Sequence, residues 1–275
     1  ISERFRFENF FRTGGGWRFG NNIELQNSAM VELDFDYTGK DKNFFETRSN
    51  DRYILEPSSF GIKFGFNTNT KNIFSYSLEF ENNKFNNTQF DENKFSNSFG
   101  LGLKYRLSQK ISVEFVSDSE KINDDIGYLQ KKEDKILFGK RNVKSIENSI
   151  NFEYNIDSRK YLSFRLRNFW STAYYKNVIF DLLENGKRKI VDDDILSFDP
   201  NTNFNLWNLE FNYEWWFSPG STITIQYKNQ RFNRDNKSNL DYYKSLKNLF
   251  ELPTEHQFSL RINYLIDYNK LRKKK

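Results

Sequence analysis

Residues 204–230 read FNLWNLEFNYEWWFSPGSTITIQYKNQ. Trp207, Leu209, Phe211, Tyr213, Trp215 and Phe217 fall on one face of an extended chain and Asn208, Glu210, Asn212 and Glu214 on the other, because strand side chains alternate with period two. Pro219-Gly220 turns the chain. Ile223, Ile225 and Tyr227 then continue the apolar face against Thr222, Thr224, Gln226 and Lys228, which predicts a hairpin. Trp215, Trp216 and Phe217 crowd the turn, where a membrane strand leaves the lipid and sets amphipathic rings among headgroups. One such hairpin also suits a soluble sandwich, so its repetition along the chain decides the reading.

Working outward, alternation predicts about 14 strands, within roughly 12 to 16, many near the roughly 9–11 residues that a tilted strand needs to cross a bilayer. The first covers residues 4–11, and a Thr13-Gly-Gly-Gly turn separates it from the second at 17–25. Later apolar rows include Val31 to Tyr37, Phe60 to Phe66, Phe74 to Phe80, Phe99 to Tyr105, Ile111 to Phe115, Ile150 to Tyr154, Leu162 to Leu166 and Phe258 to Ile266. Residues 126–131 and 135–140 read as two short charged strands, with a loop through Asp124 before them and a short link near Lys144 after them. The longest connection is expected over 171–203. In the loop after Arg231, the near-helical spacing of Leu240, Tyr243, Leu246 and Phe250 permits a short helix. Tight turns at Gln26, Asn67, Ser108, Asp157 and Pro219 alternate with mostly longer connections, the asymmetry of short periplasmic turns and long outside loops. The fold expected is all-β: a transmembrane, antiparallel, up-and-down β-barrel forming a single domain over residues 1–275, in a bacterial outer membrane with both termini periplasmic.

Composition agrees. Aromatics are 18% of the 275 residues while mean hydropathy is low, as a barrel requires when only alternate strand residues meet lipid. No run of about 20 apolar residues exists for an α-helical span. Net charge is +5 and the one dense basic cluster is at 271–275, so nucleic acid is not an expected partner. Cysteine is absent, which removes disulfides and thiolate chemistry. The chain opens at Ile1 without a signal region, so it is expected to be a piece of a longer exported precursor.

The runs RLRNFWSTAYY from Arg165, NFNLWNLEFNYEWWFSPGSTITIQYKNQ from Asn203 and FSLRINYLIDYNKLRKK from Phe258 carry a resemblance. Clearest over 161–274, this part resembles the C-terminal region of an uncharacterised outer-membrane protein family of Bacteroidota-type bacteria, whose members typically carry an N-terminal domain like carbohydrate-binding module family 9, then a β-barrel. Thr47-Arg48-Ser49-Asn50 stands where such members have a Thr-Arg-Gly-Gly-Pro-like loop, without its glycines or proline. The resemblance implies a membrane barrel and no particular activity.

No catalytic, cofactor or metal site is expected. His256, the one histidine, has no evident nucleophile and acid beside it in sequence. Asp192, Asp193, Asp194 and Asp199 match no calcium-loop spacing. Polar faces are more informative. Arg165 and Arg167 project inward between strands carrying Glu147 and Glu153 on one side and Glu210 and Glu214 on the other; Asp34 and Asp36 lie between strands carrying Arg18 and Lys63. A charge-paired lumen follows, without the single-sign ring of a strongly selective pore. Gly61 and Gly65, Ser75 and Ser77, and Gly100 and Gly102 form a small-residue bay on that face, expected either to receive an inserted segment that occludes the lumen or to let the sheet curve. Trp17, Trp170, Trp207, Trp215, Trp216 and Phe217 are expected at the membrane interfaces. The function expected is non-enzymatic: a scaffold or subunit of an outer-membrane assembly, in contact with outer-membrane lipid and other outer-membrane or periplasmic proteins. The alternatives are a solute channel, an outer-membrane hydrolase and a soluble carbohydrate-binding β-protein.

Overall fold

The computed structural model describes residues 2–6, 11–49, 51–86, 89–90 and 92–266, with the side chains of 2–6, 11–13 and 193 outside the description. In chain order the strands are β1 Ser2–Arg6, β2 Phe11–Glu24, β3 Met30–Thr38, β4 Asp41–Asn43, β5 Ile54–Glu56, β6 Ser59–Asn67, β7 Phe74–Phe85, β8 Phe95–Arg106, β9 Ile111–Lys132, β10 Lys135–Asp157, β11 Lys160–Leu182, β12 Arg188–Val191, β13 Thr202–Ser218, β14 Ser221–Asp235 and β15 Glu255–Asn263. Helix α1, Tyr242–Phe250, lies between the last two.

Twelve of these strands make one antiparallel meander, β1-β2-β3-β6-β7-β8-β9-β10-β11-β13-β14-β15, and β12 joins β11 as the thirteenth member of the sheet. The pair β4-β5 stands apart. The all-β, up-and-down antiparallel order agrees with the sequence. Among the described residues β1 and β15 are the end strands, and no pairing joins them.

Registers hold the alternation together. Tyr213 faces Ile225, Phe211 faces Tyr227 and Leu209 faces Leu166, so one side of the sheet gathers apolar residues, many of them exposed: Phe19 at 59%, Phe64 at 42%, Phe99 at 48%, Leu260 at 56%. Polar residues gather on the other side. For brevity these are the apolar and polar faces.

Several expected boundaries are corrected. Thr13 and the three glycines after it lie within β2: the glycines pair with Ser2, Glu3 and Arg4 of β1, and Thr13 is the extra residue of a bulge, because a glycine run needs no turn when a neighbouring strand supplies ladder partners. The loop through Asp124, the link near Lys144 and the two short charged strands are all strand: β9, β10 and β11 run 22, 23 and 23 residues. At about 3.3 Å per residue each is roughly 75 Å long, over twice a membrane strand. Most of the expected 171–203 loop is the end of β11 and the hairpin to β12. The basic cluster at 271–275 lies outside the described residues.

Charge misled the sequence reading, since the far halves of these strands bury polar and apolar groups together. Ile54, Ile136, Phe138, Phe180 and Leu182 form the one core cluster found among the described residues, with Phe90, Ile126, Tyr128 and Val178 packed on it. Leu137 and Ile179, on the opposite face by alternation, are buried as well. The connections before β6 and β8 supply part of the cover through Ile54 and Phe90; Leu55 donates to the Gly186 carbonyl (3.0 Å), and Tyr128 donates its N–H to Glu46 (3.1 Å). The extension therefore has its own two-sided core.

A bulge links this extension to the sheet below it. Asp125 pairs with Arg141 and Ile122 with Val143, leaving Asn123 and Asp124 against Asn142 alone; Asp124 takes φ 52°, a left-handed conformation that aspartate tolerates better than most residues. The extra residue reverses side-chain parity in β9, so odd residues such as Val113 and Phe115 are apolar-face below it and Ile126 and Tyr128 above it.

Candidate functional site

The polar face of the sheet brings together most of the expected charge network. Arg167 donates through Nε and Nη2 to both oxygens of Glu147 (2.6 and 3.0 Å), the paired geometry that guanidinium and carboxylate planes favour. Lys63 bridges Glu79 at 3.2 Å and Glu32 at 3.8 Å, and Lys228 meets Glu210 at 3.0 Å. Asp34 is Lys63's register partner and Asp36 stands across from Arg18, but the Lys63 ammonium turns to the longer acids beside it. Arg165 faces Glu210, whose carboxylate engages Lys228. Glu153 faces Ser112 and Ser163, and Glu214 accepts from the Trp216 indole N–H.

Four glycines of this face stand opposite acids. Gly20 faces Asp34, Gly61 faces Asp36, Gly65 faces Glu32 and Glu79, and Gly100 faces Glu79 and Asp118. A β-carbon at Gly20 would come within 2.3 Å of the Asp34 carboxylate, and one at Gly61 within 2.4 Å of Asp36. The carboxylates lie across bare backbone. Gly65, Ser75, Ser77, Gly100 and Gly102 line a cavity of about 370 Å³ together with Glu79, Glu114 and Asp118, next to the Asn67 turn. Gly61 sits beyond it, under Asp36 and Asn83.

The aromatics divide. Trp17 is 45% exposed and stacks with Tyr37 at 6.1 Å; Trp215 and Trp216 are exposed beside the Pro219 turn, where Phe217 stacks with Tyr264 at 6.2 Å. Trp207 meets the Phe250 ring of α1 at 4.9 Å. Trp170 corrects the interface expectation: it is 4% exposed, because α1 covers it, with Tyr242 edge-on at 5.8 Å and its indole N–H donated to Asn203 (3.0 Å).

That helix covers a polar cluster which sequence reasoning missed. Asn168 donates to Asn205 (2.8 Å), Asn205 to Ser245 (3.1 Å) and Ser245 to Asn203 (3.0 Å); Tyr242 donates to Asn168 (2.8 Å). Asn168, Asn203 and Asn205 lie on the apolar face by alternation, so without α1 they would be polar groups in an apolar row. Asp241 caps the helix, accepting from the Lys244 N–H (2.9 Å).

Two further charged groups lie in the extension, beyond the apolar rows. Arg188 and Glu92, both buried, form a bidentate pair with the guanidinium 4.7 Å from the Phe180 ring. Near the bulge, Lys94 and Arg141 bracket Asp125 (2.9 and 2.8 Å), and Lys140 (3.1 Å) and Lys176 bracket Asp124. Burial works against the Asp125 carboxylate, but Lys94 and Arg141 more than offset it and hold its pKa below the ordinary 3.8. Asp124 is lowered likewise, burial being outweighed by Lys176, Lys140 and the Asn93 N–H. No local motif marks these pairs; the one usable signal was the parity change between Val113/Phe115 and Ile126/Tyr128.

His256 hydrogen-bonds the Tyr227 hydroxyl at 2.7 Å and the Asn229 amide at 3.4 Å, neither of which makes a serine–acid triad with it. Among the described residues no three His, Cys, Asp or Glu side chains are grouped to hold a metal.

The model of a family described as Domain of unknown function (DUF5916) matches residues 1–275. The chain belongs to the DUF5916 family. No curated protein matches it. For the DUF5916 chain, then, the geometry of the two sheet faces carries the functional reading.

Proposed function

We propose that this DUF5916 domain is a non-enzymatic β-barrel of a bacterial outer membrane, acting as a scaffold or subunit of an envelope assembly with its lumen closed at rest. The observation that supports it most is the apolar face: exposed aromatic and aliphatic residues recur on one face of β2, β3, β6, β7, β8 and β15, and half-buried ones such as Val113, Phe164, Leu209 and Ile225 carry the row across the strands between. A soluble monomer rarely exposes a contiguous apolar patch beyond a few hundred Å². The twelve strands of the meander are an even number, so β1 and β15 run antiparallel, the relation closure requires. Its tight turns and both chain ends would be periplasmic, and the extension would stand outside the cell.

A scaffold is favoured over a pore by two features. The polar face pairs its charges across strands instead of ringing them by sign. The extension and its neighbouring loops also present Phe45, Tyr174, Ile190 and Phe198, each at least 45% exposed, the residue types that protein contacts favour. Its partners on this reading are outer-membrane lipid and other envelope proteins, with no nucleic acid and no cofactor. Cysteines at Asn185 and Ser108 test the reading: in intact cells an impermeant thiol reagent should label the first and spare the second. Labelling of both, or recovery of detergent-free soluble monomers, overturns it. Large steady conductance of the intact protein in planar bilayers would leave the barrel but replace the scaffold with a channel.

A further inference from the structure

At the upper edge of the apolar face one register row runs Phe80, Phe99, Ser119, Ile146 and Trp170, each opposite the next on successive strands. The following row on the same face, farther from the tight turns, runs Asn82, Asn97, Lys121, Lys144 and Thr172. Lys121 and Lys144 are exposed and directly opposite, which sets their β-carbons roughly 4.5–5.5 Å apart. Like charges so placed repel each other.

Among the described residues, no acid on that face neutralises them. Their strand neighbours two residues away are Ser119, Asn123, Asn142 and Ile146, and their outer register partners are Asn97 and Thr172, all uncharged. Glu120 borders the same place but belongs to the polar face, where it stands across from Ser98 and Ser145. Between the lysines and the apolar row lies a cleft of about 270 Å³ whose apolar lining is Phe80, Phe99, Ile146 and the edge of Trp170, with Glu120 also on its wall. The arrangement is amphiphilic, with an apolar floor and, at its rim, two ammonium groups that form no ion pair with Glu120.

We infer that this cleft holds one phosphate-bearing lipid of the surrounding leaflet, its acyl chain along the aromatic floor and its phosphate between Lys121 and Lys144. The inference rests on the membrane reading above. A doubly negative phosphate relieves the repulsion between the lysines through charge-assisted hydrogen bonds, and Asn97 adds an amide in the same row. A free anion would have no use for the floor, and an uncharged lipid none for the lysines.

The test uses the full protein in detergent, by native mass spectrometry with three probes: diphosphoryl lipid A, the same lipid with its phosphates removed, and inorganic phosphate. One diphosphoryl lipid A should be retained per chain, with affinity falling at least about tenfold in K121Q/K144Q and kept in K121R/K144R, as expected for loss of a charge-assisted contact. Equal retention by the wild type and K121Q/K144Q, equal retention of the dephosphorylated lipid, or displacement by inorganic phosphate would each overturn it. Heat-dependent gel migration, run in parallel, checks that the variants fold. Recovery of the wild type in the membrane fraction separates the two claims: protein missing there sinks the membrane reading, whereas membrane-recovered protein that ignores lipid A sinks the lipid site alone.

Discussion

Arg188 and Glu92 lie 96 positions apart and meet in a buried bidentate pair, with contacts of 2.6 and 2.9 Å. Backbone bonds reinforce the join: Arg188 donates its N–H to the Gln89 side chain (2.7 Å), whose amide donates back to the Arg188 carbonyl. The β7–β8 connection is thereby clamped to β12.

Removing one partner leaves a buried charge without its counterpart. Glu92→Gln or Arg188→Met should destabilise the extension by about 3–5 kcal/mol, and the double change to Leu and Met should cost less than either single one. Limited trypsin cleavage at Lys187 and Lys189 reads this directly. Single variants that resist trypsin as well as the wild type does would show that the clamp is held elsewhere.

The extension should also be acid-sensitive. Asp124 and Asp125 have folded pKa values below the ordinary 3.8, so their stabilisation is complete above that value and lost as pH falls through the lower folded values. Hydrogen exchange at the amides of Asn93 and Asp124 should be flat from neutral pH down to about 4 after correction for intrinsic rates, then accelerate. Asp125→Asn should weaken the extension at neutral pH and flatten the acid response. An unchanged response in that variant would assign it to other carboxylates.

Helix α1 should depend on one hydroxyl. Ser245→Ala leaves the buried Asn205 amide short of an acceptor and the Asn203 side-chain oxygen with the Trp170 indole alone, at about 1–3 kcal/mol for the unsatisfied donor. Exchange protection across 242–250 should fall while that of β13 stays. Equal loss in both would mean that helix and sheet open as one unit.

The hairpin of Tyr213 and Ile225 was legible because both strands alternate cleanly and Pro219-Gly220 marks the turn between them. Trp207 and Leu209 share the face that the period-two reading assigned to them. Beyond Phe115 the same rule failed, because Asp124 adds a residue that swaps the faces; a broken pattern with dense charge reads as loop. Lys94, Lys140 and Arg141 look solvated in sequence and are instead partners of Asp124 and Asp125. The charge network was legible as a face but not as pairs, since side-chain length decided that Lys63 reaches Glu79 and Glu32. Burial of Trp170 was not legible either, because a helix more than 70 residues later covers it.

The acids that lie over Gly20, Gly61, Gly65 and Gly100 tie the relief of the polar face to its charge. A carboxylate resting on bare backbone gives a negative surface that takes up almost no room. Adding a methyl group at Gly61 would lift Asp36 away from the sheet, and shortening Asp36 would open a hollow. Neither position is free to drift alone. Mutational change at such a site is expected in compensating doubles, glycine and acid together, so that the relief of the polar face is inherited through pairs of positions on neighbouring strands.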